Sequence, residues 1–450
     1  MNPRNIGILL IVGGAALACQ PSPPTGNVTP SAPKGADSAL AAFIDGIKAV
    51  DNHSHANSVA PNDADADALP LDGVAPFELP VRLRTDNPEW LAAYKALYKY
   101  PHQDLSDAHK AELHDTLQRI AKEQGDKFPA WVLDRAGTEV LLANRVAMGP
   151  GLTAPRFRWV SFADALMLPL STKAEAAATP DRQNLFPLED KLLQRYLSDL
   201  KIITLPDTLD AYLQRVVTPT LEAQRRAGAV ALKFEAAYLR ALDFGDASAA
   251  AAGAVYARYI RGGEPSHADY KMLQDYLFRF IARDAGRLGL AVHIHSFEGA
   301  GNYFAGAGAD PLLLEPALND PALRQTNVVI IHGGGALANH TSALLWKPNV
   351  FADMSLMTLA YTPARLAGVL RNWLTQFPEK VLYGSDATAL GPDMGWELAA
   401  WSASRTARVA LAIALTGMMD DGAIDRVRAE QIATMVLRTN AAKLYKLDLQ

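Results

Sequence analysis

Val328-Val329-Ile330-Ile331-His332 is a short, apolar, β-branched run that ends in a histidine, and its length and composition predict a buried strand. Seven more β-like runs occur along the chain, which makes eight predicted strands. In chain order they are Lys48–His55, Glu139–Ala143, Phe157–Phe162, Ala229–Lys233, Ala291–His295, Val328–His332, Val350–Asp353 and Val381–Tyr383. Amphipathic helical stretches separate most of them, and one begins after Ser266, a candidate N-cap.

This alternation of strands and helices predicts an α/β protein with a parallel sheet. Eight strands favour a closed (β/α)8 TIM barrel, and a doubly wound open sheet is the structural alternative. Residues 56–135 predict a helical insertion after the first strand. We expect it above the barrel mouth, because loops that follow barrel strands emerge at that face. The barrel domain is expected to span residues 36–450, including the insertion.

Composition narrows the class of protein. The chain has 450 residues, 49% of them hydrophobic, with a net charge of −5 and 20% charged residues. These values allow the large buried core of an ordinary globular enzyme. No cluster of basic residues indicates a surface that binds nucleic acid. A single cysteine excludes both an intrachain disulfide framework and a cysteine-rich zinc site.

That cysteine, Cys19, stands at the end of an export signal. Arg4 gives a positive start, residues 6–17 are apolar, and Ala16-Leu17-Ala18 is a small-x-small cleavage pattern. The apolar stretch is shorter than the roughly 20 residues of a transmembrane helix. Because Ala16-Leu17-Ala18-Cys19 also resembles a bacterial lipoprotein box, it predicts a signal peptide over residues 1–18 and lipidation of Cys19. An ordinary signal peptide cut after Ala18 is the alternative.

The residues after the signal predict where the protein resides. Residues 19–35 are rich in Pro, Ser, Thr and Gly and predict a flexible tether. Gln20 directly after the cysteine favours sorting to the outer membrane. We therefore expect an exported lipoprotein on the periplasmic side of that membrane, attached to it only through the lipid.

Histidines repeatedly follow the predicted strands. His53 and His55 end the first strand on one face, because side chains in a strand alternate with a period of two. His295 and His332 end the fifth and sixth strands, and Asp386 follows the eighth. In a (β/α)8 barrel these ends meet at one mouth, and imidazole and carboxylate are ligands for zinc and similar ions. The pattern predicts a divalent metal site there.

This ordered set resembles the amidohydrolase superfamily, most closely its amidohydrolase-related (type 2) branch. The resemblance covers about residues 47–447. It depends on the order of all these residues along the chain more than on any single motif. Its local stretches are Leu141-Leu142-Ala143-Asn144-Arg145, Lys233-Phe234-Glu235-Ala236-Ala237-Tyr238-Leu239-Arg240, His332-Gly333-Gly334 and Tyr383-Gly384-Ser385-Asp386-Ala387. It implies a (β/α)8 barrel with one or two divalent ions, most often zinc.

The resemblance assigns the residues that bind metal. His53, His55, His295 and Asp386 match its metal ligands. His332 matches a histidine that either binds metal or polarises the substrate. Lys233 ends the fourth strand, where binuclear relatives carry a carboxylated lysine that bridges two metals. A plain cation that contacts a substrate anion or a carboxylate is the other interpretation of Lys233.

Four more residues are candidates for substrate binding. Arg145 and Arg240 are possible anion clamps, because a guanidinium binds a carboxylate through two hydrogen bonds. Tyr238 follows Lys233 closely enough to face the same mouth. His293 departs from the branch, which usually has no histidine there. It is an extra ligand, a substrate contact or, as we favour, a partner that orients a metal-bound imidazole.

The function expected from these residues is a metal-dependent hydrolase that cleaves an amide, ester or related bond of a small molecule. The metal would activate a water, Asp386 would accept its proton, and His332 would help to stabilise the developing oxyanion. Two alternatives remain. One is a non-hydrolytic member of the same superfamily, a decarboxylase or an isomerase, and the other is a lipoprotein that binds a metal or a small solute. The sequence does not identify the substrate or the oligomeric state.

Overall fold

A computed structural model describes residues 34–60, 63–70, 74, 76–297, 303–391 and 394–449. Eight parallel strands pair in chain order around one sheet. They are β1 (Ala49–Ser54), β2 (Thr138–Asn144), β3 (Phe157–Phe162), β4 (Ala229–Phe234), β5 (Ala291–His295), β6 (Val328–Ile331), β7 (Val350–Asp353) and β8 (Val381–Leu382). The prediction of a (β/α)8 barrel is confirmed.

Backbone hydrogen bonds between β1 and the end of β8 close the barrel. The amide of Asn52 donates to the carbonyl of Tyr383 at 2.9 Å, and the amide of Asp386 donates to the carbonyl of His53 at 2.8 Å. The amide of His55 donates to the carbonyl of Ala387 at 2.9 Å. An open doubly wound sheet would leave its first and last strands apart, so these bonds exclude that alternative.

Helices cover the outside of the barrel. In the described residues they are α1 (Ser38–Gly46), α2 (Trp90–Tyr98), α3 (Asp107–Gln124), α4 (Phe128–Ala136), α5 (Lys173–Ala178), α6 (Leu185–Asp199), α7 (Leu209–Tyr212), α8 (Thr218–Arg226), α9 (Ala249–Tyr259), α10 (His267–Arg287), α11 (Glu315–Leu318), α12 (Ala338–Leu344), α13 (Met357–Ala360), α14 (Pro363–Leu374), α15 (Trp396–Asp420), α16 (Arg426–Thr434) and α17 (Asn440–Tyr445). Ser266 caps α10 as predicted, because its hydroxyl accepts from the amide of Asp269.

Apolar residues fill the barrel between the strands. Val50, Val140, Val160, Val329 and Leu382 come from five strands and belong to one buried cluster. Val and Leu side chains are typical of the layered interior of such a barrel. The cluster also includes Tyr445, from α17, whose hydroxyl reaches the polar layer described below. The polar groups at the mouth therefore rest on a packed core.

The stretch after β1 has two parts. Residues 84–124 contain α2 and α3, whose apolar residues, including Trp90 and Leu113, pack in one cluster with Trp396 at the start of α15. By contrast, the described residues between Ala56 and Pro80 form neither helix nor strand. α4 contacts β2 and α15, so it belongs to the helical layer of the barrel.

The export signal, Cys19 and the tether up to residue 33 lie outside the described residues. Among the described residues, none of the helices is both long enough and apolar enough to cross a membrane.

Candidate metal centre

Three side chains from different strands meet at the barrel mouth. His53 lies in β1, His332 follows β6 directly, and Asp386 follows β8. One donor atom of each lies within 4.8 Å of the others. The Nε2 atom of His53 is 3.1 Å from Oδ1 of Asp386. These residues form the centre of the candidate site.

The other predicted ligands surround this centre. His55 Nε2 lies 3.6 Å from Oδ1 of Asp386, and Lys233 Nζ lies 3.2 Å from Nε2 of His53. His295 Nδ1 is 3.1 Å from Nε2 of His332. The structure thus brings all six predicted metal-site residues together, although they are separated by up to 333 positions in the sequence.

A bulge and two left-handed residues aim these side chains. The pairing of β1 with β2 shifts register between Asp51 and Ser54, and such a bulge re-aims the side chains at the end of a strand. His332 has φ 63° and Asp386 has φ 56°, the left-handed region that non-glycine residues rarely adopt. Strained backbone of this kind clusters at functional sites, where the surrounding structure imposes it.

The left-handed backbone conformation of His332 continues in the next residue, Gly333. Gly333 has φ +56°, and a Cβ atom there would lie 2.2 Å from the ring of Trp373. Only glycine therefore fits between this tryptophan and the backbone. The turn leads the chain away from β6 while the imidazole of His332 stays at the mouth.

Buried carboxylates hold the strained segments. Oδ1 of Asp353 accepts from the amide of His332 at 3.2 Å and from the amide of Ser355 at 2.9 Å. Ser355 Oγ in turn lies 2.9 Å from Nδ1 of His332. On the β8 side, Oδ1 of Asp51 accepts from the amide of Ser385 at 2.9 Å. These contacts fix the ligands before any ion binds, as an efficient metal site requires.

Burial keeps the imidazoles of this centre neutral except that of His55, where the charges of Asp67 and Asp386 outweigh burial and raise the pKa to about 9. Burial, followed by the charge of Lys233, holds the pKa of His53 and of His295 well below the ordinary range. The pKa of His332 is lowered in the same way by burial, with His295 as the next cause. Burial raises the pKa of Asp386, against the effects of His55 and Lys233. Neutral imidazole is the form that binds metal ions.

The residues present fit a divalent ion. His295 Nε2 is buried and has no hydrogen-bond partner in the described part of the chain, an arrangement that an ion would satisfy. The donor set of imidazole nitrogens and one carboxylate suits zinc and similar ions. Lys233 Nζ also lies 3.7 Å from a carboxylate oxygen of Glu235. Its position beside His53 is compatible with either interpretation of this lysine.

The two arginines proposed as anion clamps have partners within the protein. Arg145 is fully buried and donates to both carboxylate oxygens of Asp63, at 2.7 and 2.8 Å, and to the carbonyl of Ala56. Arg240 donates to Asp275 at 2.7 Å and to Gln274 at 3.0 Å. Both guanidinium groups thus hold neighbouring segments, which favours a structural role over the expected substrate contact.

Tyr238 and His293 differ in their distance from the mouth. The ring of Tyr238 lies 4.3 Å from that of His295, centre to centre, so it borders the metal centre. His293 is fully buried, and its Nε2 atom is 2.7 Å from the hydroxyl of Tyr445. That hydroxyl donates to Asn52, whose amide group donates to Asp353 at 3.0 Å. His293 is therefore connected to His332 through a chain of buried hydrogen bonds.

Several polar residues at the mouth escaped sequence analysis. Asp67, from the stretch after β1, lies 2.9 Å from Nδ1 of His55. The alternating Asp63-Ala64-Asp65-Ala66-Asp67 was a visible signal for this contact. Asp164 and Glu189 are buried carboxyl groups with electrostatic coupling to Glu235, and we found no sequence signal for them.

A cavity of about 690 Å³ opens beside the metal centre. His55 and Asp67 form its inner end, and residues 388–391 contribute one wall. The other wall is formed by Pro70, Val74, Pro76, Phe77 and Leu79. Its size suits a small organic molecule. The side chain of Asp386 is 13% exposed, so a bound molecule can reach its carboxylate.

Comparisons with known proteins agree with this geometry. The family profile described as Amidohydrolase matches residues 207–447, which is more than half of the chain. The protein therefore belongs to the amidohydrolase family. A search among curated proteins found no match.

Solved structures show the same fold at low sequence identity. A protein of Lactobacillus casei, provisionally described as a metal-dependent hydrolase, is 18% identical, with a TM-score of 0.58 over 90% of this chain and 97% of its own. Glucuronate isomerase from Caulobacter crescentus is 15% identical, with a TM-score of 0.60 over 92% and 94%. Uronate isomerase from Thermotoga maritima is 12% identical, with a TM-score of 0.56 over 90% and 96%. At these identities the likeness concerns the fold.

Proposed function

We propose that this protein is a metal-dependent hydrolase that cleaves an amide, ester or related bond of a small molecule. The observation that carries the proposal is the position of Asp386. Its Oδ1 atom stands among the imidazoles of His53 and His55, its side chain is 13% exposed, and His55 beside it lines the 690 Å³ cavity. A carboxylate in this position can serve both as a metal ligand and as a base toward a molecule in the cavity.

The ligands of the proposed site are His53, His55, His295 and Asp386, with Lys233 beside them. One or two divalent ions, zinc above all, would supply Lewis acidity and a water whose pKa falls toward roughly 7. Lys233 either joins the ligand set after carboxylation or remains a cation that contacts an anionic substrate. The carboxyl group of Glu235 lies 3.7 Å from Nζ of Lys233 and is its nearest acidic neighbour if the lysine stays a cation.

The protein groups divide the remaining work. Asp386 accepts the proton of the attacking water and later delivers it to the leaving group. His332, whose Nδ1 atom faces the hydroxyl of Ser355 and whose Nε2 atom lies 3.1 Å from Nδ1 of His295, would stabilise charge on the substrate oxygen. Tyr238 borders the site and would contact the substrate. His293 lies in the barrel interior and would help to position His332 through the hydrogen bonds that begin at Tyr445.

The test is a metal analysis combined with an activity screen. We expect the purified protein to bind at least one equivalent of zinc and, when zinc is restored after chelation, to hydrolyse members of a panel of amides, esters and lactones. The same preparations should be assayed for isomerisation of uronic acids and for decarboxylation. Isomerisation or decarboxylation without hydrolysis would overturn the hydrolase proposal, and metal binding without any turnover would favour a binding protein.

We further propose that the protein is exported and anchored by a lipid on Cys19. The support is the sequence alone: the apolar signal, the lipoprotein-like box and Gln20 after the cysteine. Replacing Cys19 with serine should move the protein from the membrane fraction to the soluble fraction after export. A wild-type protein that is already soluble in the periplasm would contradict lipidation and support the ordinary signal peptide.

A further inference from the structure

We propose that Asp67 is a positioning residue for the metal centre, delivered to it by the segment that follows β1. The inference rests on the proposed metal site and adds that this segment completes it. Asp67 would fix the tautomer and orientation of His55, so that the order of the segment and the affinity for the metal become linked. We refer to residues 63–67 as the aspartate clamp.

Asp67 lies close enough to His55 for this role, at ion-pair distance, although Nδ1 of His55 forms no hydrogen bond of good geometry in the described chain. Oδ2 of Asp67 lies 2.9 Å from Nδ1 of His55, on the opposite side of the ring from Nε2, which faces Asp386 at 3.6 Å. A neutral imidazole carries one N–H group. A carboxylate that accepts this N–H from Nδ1 leaves the lone pair of Nε2 for a metal ion and increases its basicity.

The aspartate clamp is anchored at three different places. Asp63 pairs with Arg145, which directly follows β2, at 2.7 and 2.8 Å. Asp65 pairs with Arg195 on α6, and Asp67 reaches His55 beyond β1. Each aspartate is separated from the next by one alanine, and the amide of Ala66 donates to the carbonyl of Asp63 at 3.2 Å, which closes a turn. The contacts of Asp63 and Asp67 hold this segment, which has neither helix nor strand, against the barrel mouth, and the exposed pair of Asp65 adds little to them.

Two hydrogen bonds donated by backbone amides also hold the clamp in place. The carbonyl of Asp65 accepts from the amide of Val146 at 3.0 Å, and Oδ2 of Asp63 accepts from the amide of Ser58 at 2.8 Å. Ala66 and Asp67 then line the cavity beside His55. These contacts also explain why Arg145 is fully buried: it holds the clamp.

Thermodynamic linkage follows from this arrangement. If a metal ion binds more tightly when Asp67 holds His55, then the bound ion must stabilise the docked clamp by the same free energy. The segment that lines the cavity would therefore be most firmly docked when the metal is present. Loss of the metal would weaken a wall of the cavity as well as remove a Lewis acid.

Asp65 provides a matched control within the same segment. It lies two residues from Asp67, carries the same charge, and pairs with an arginine instead of a metal ligand. Both side chains of its ion pair are more than a third exposed, so the pair contributes little to stability. Asp65→Asn therefore reproduces the charge change of Asp67→Asn without touching His55.

The experiment measures metal affinity directly. Zinc dissociation constants of the wild type, Asp67→Asn and Asp65→Asn are obtained by competition with a chromogenic chelator, and circular dichroism verifies the fold. Loss of a carboxylate that orients a metal-bound histidine usually costs 10- to 100-fold in affinity, so we expect about that loss for Asp67→Asn. For Asp65→Asn we expect a change of no more than about threefold.

A spectroscopic measurement separates positioning from general destabilisation. In the cobalt-substituted protein, Asp67→Asn should shift the visible absorption bands, whereas Asp65→Asn should leave them unchanged. Wild-type affinity and an unshifted spectrum for Asp67→Asn would overturn this inference alone. Equal losses in both variants would assign the effect to charge or to the segment as a whole and overturn it as well. A wild type that binds no metal would overturn the proposed metal site itself.

Discussion

The barrel mouth has two sides that differ in how many hydrogen-bond partners their buried polar groups have. On the histidine side, formed by His53, His295, His332 and Asp386, nearly every group is held by a neighbour, down to Asp353 beneath His332. On the acid side, formed by Asp164, Glu189 and Glu235, each residue has at least one carboxyl oxygen without a hydrogen-bond partner in the described chain, although Oδ2 of Asp164 accepts from the amide of Glu235. Lys233 lies between the two sides, 3.2 Å from His53 and 3.7 Å from Glu235.

The difference shows in the pKa values. Burial raises the pKa of Asp164 to about 7 and that of Glu235 to about 8. Burial, and then the neighbouring charges of Asp164 and Glu235, raise the pKa of Glu189 well above its ordinary range. An unpaired buried carboxylate is costly, so these groups hold protons near neutral pH. The histidine side is therefore organised for an ion, whereas the acid side reduces its charge by taking up protons.

The largest effect is expected from the histidine side. Asp386→Asn keeps the shape and one oxygen acceptor but removes the base, so turnover of a hydrolysed substrate should fall by about 10²-fold or more, the scale of general-base catalysis. The amide still faces His53 and His55, and we expect the variant to fold and to retain at least some metal. Turnover should be measured together with metal content.

Two results would weaken this interpretation of Asp386. Near wild-type turnover at full metal content would show that the proton goes elsewhere, with His332 the next candidate. Complete loss of metal would make the contribution of Asp386 as a ligand inseparable from its contribution as a base. Glu235→Gln makes the corresponding change, from carboxylate to amide, on the acid side. We expect it to reduce turnover less than Asp386→Asn does.

An intermediate effect is expected where the histidine side meets the barrel core. Tyr445→Phe removes the hydroxyl that joins His293 to Asn52 and leaves both buried groups without this partner. Each unsatisfied buried group typically costs about 1–3 kcal/mol, so unfolding should become easier by an amount in that range. Denaturant unfolding measures the loss.

The same variant tests the role of His293. If His293 acts only through Tyr445, zinc affinity should change by much less than in the Asp67→Asn variant, and the Michaelis constant should stay near that of the wild type. A large rise in the Michaelis constant with unchanged stability would instead identify His293 as a substrate contact, one of the alternatives that the sequence leaves open for it.

The sequence predicted the histidine side because its signals are local. β3, β5 and β7 have the predicted bounds, and the other strands differ by one residue at one or both ends. Apolar, β-branched runs identify buried strands, and the histidines or aspartate at the ends of the first, fifth, sixth and eighth runs mark the mouth. The topology of the barrel then brings His53, His332 and Asp386 together.

The rest of the site depends on contacts that no local pattern encodes. Residue type alone does not reveal that Arg145 pairs with Asp63 or that Arg240 pairs with Asp275. Asp67 reaches His55 through a segment without helical or strand periodicity. Glu189 is one acidic residue in an amphipathic helix, where a glutamate is normally solvated. Its burial follows from the packing of α6 against the barrel.

The smallest effect is expected from Glu189 itself, and it tests whether the acid side is strained. Glu189 is 1% exposed, and neither carboxyl oxygen has a hydrogen-bond partner in the described residues. Because its pKa is raised on folding, the folded protein binds more protons than the unfolded chain above the ordinary range of a glutamate. Stability must then fall as the pH rises from that range toward the folded pKa.

Glu189→Gln keeps the shape and cannot ionise, so it should remove this part of the pH dependence. We expect the variant to match the wild type near pH 4.5 and to exceed it near pH 7.5 by an amount on the order of 1 kcal/mol. Calorimetric midpoints at several pH values, with the metal content held constant, provide the measurement. Asp199→Asn, an exposed change at the end of the same helix, is the control. A stability difference between the Glu189 variant and the wild type that does not change with pH would show that Glu189 keeps an ordinary pKa. The contrast between the two sides of the mouth would then be one of hydrogen bonding and not of charge.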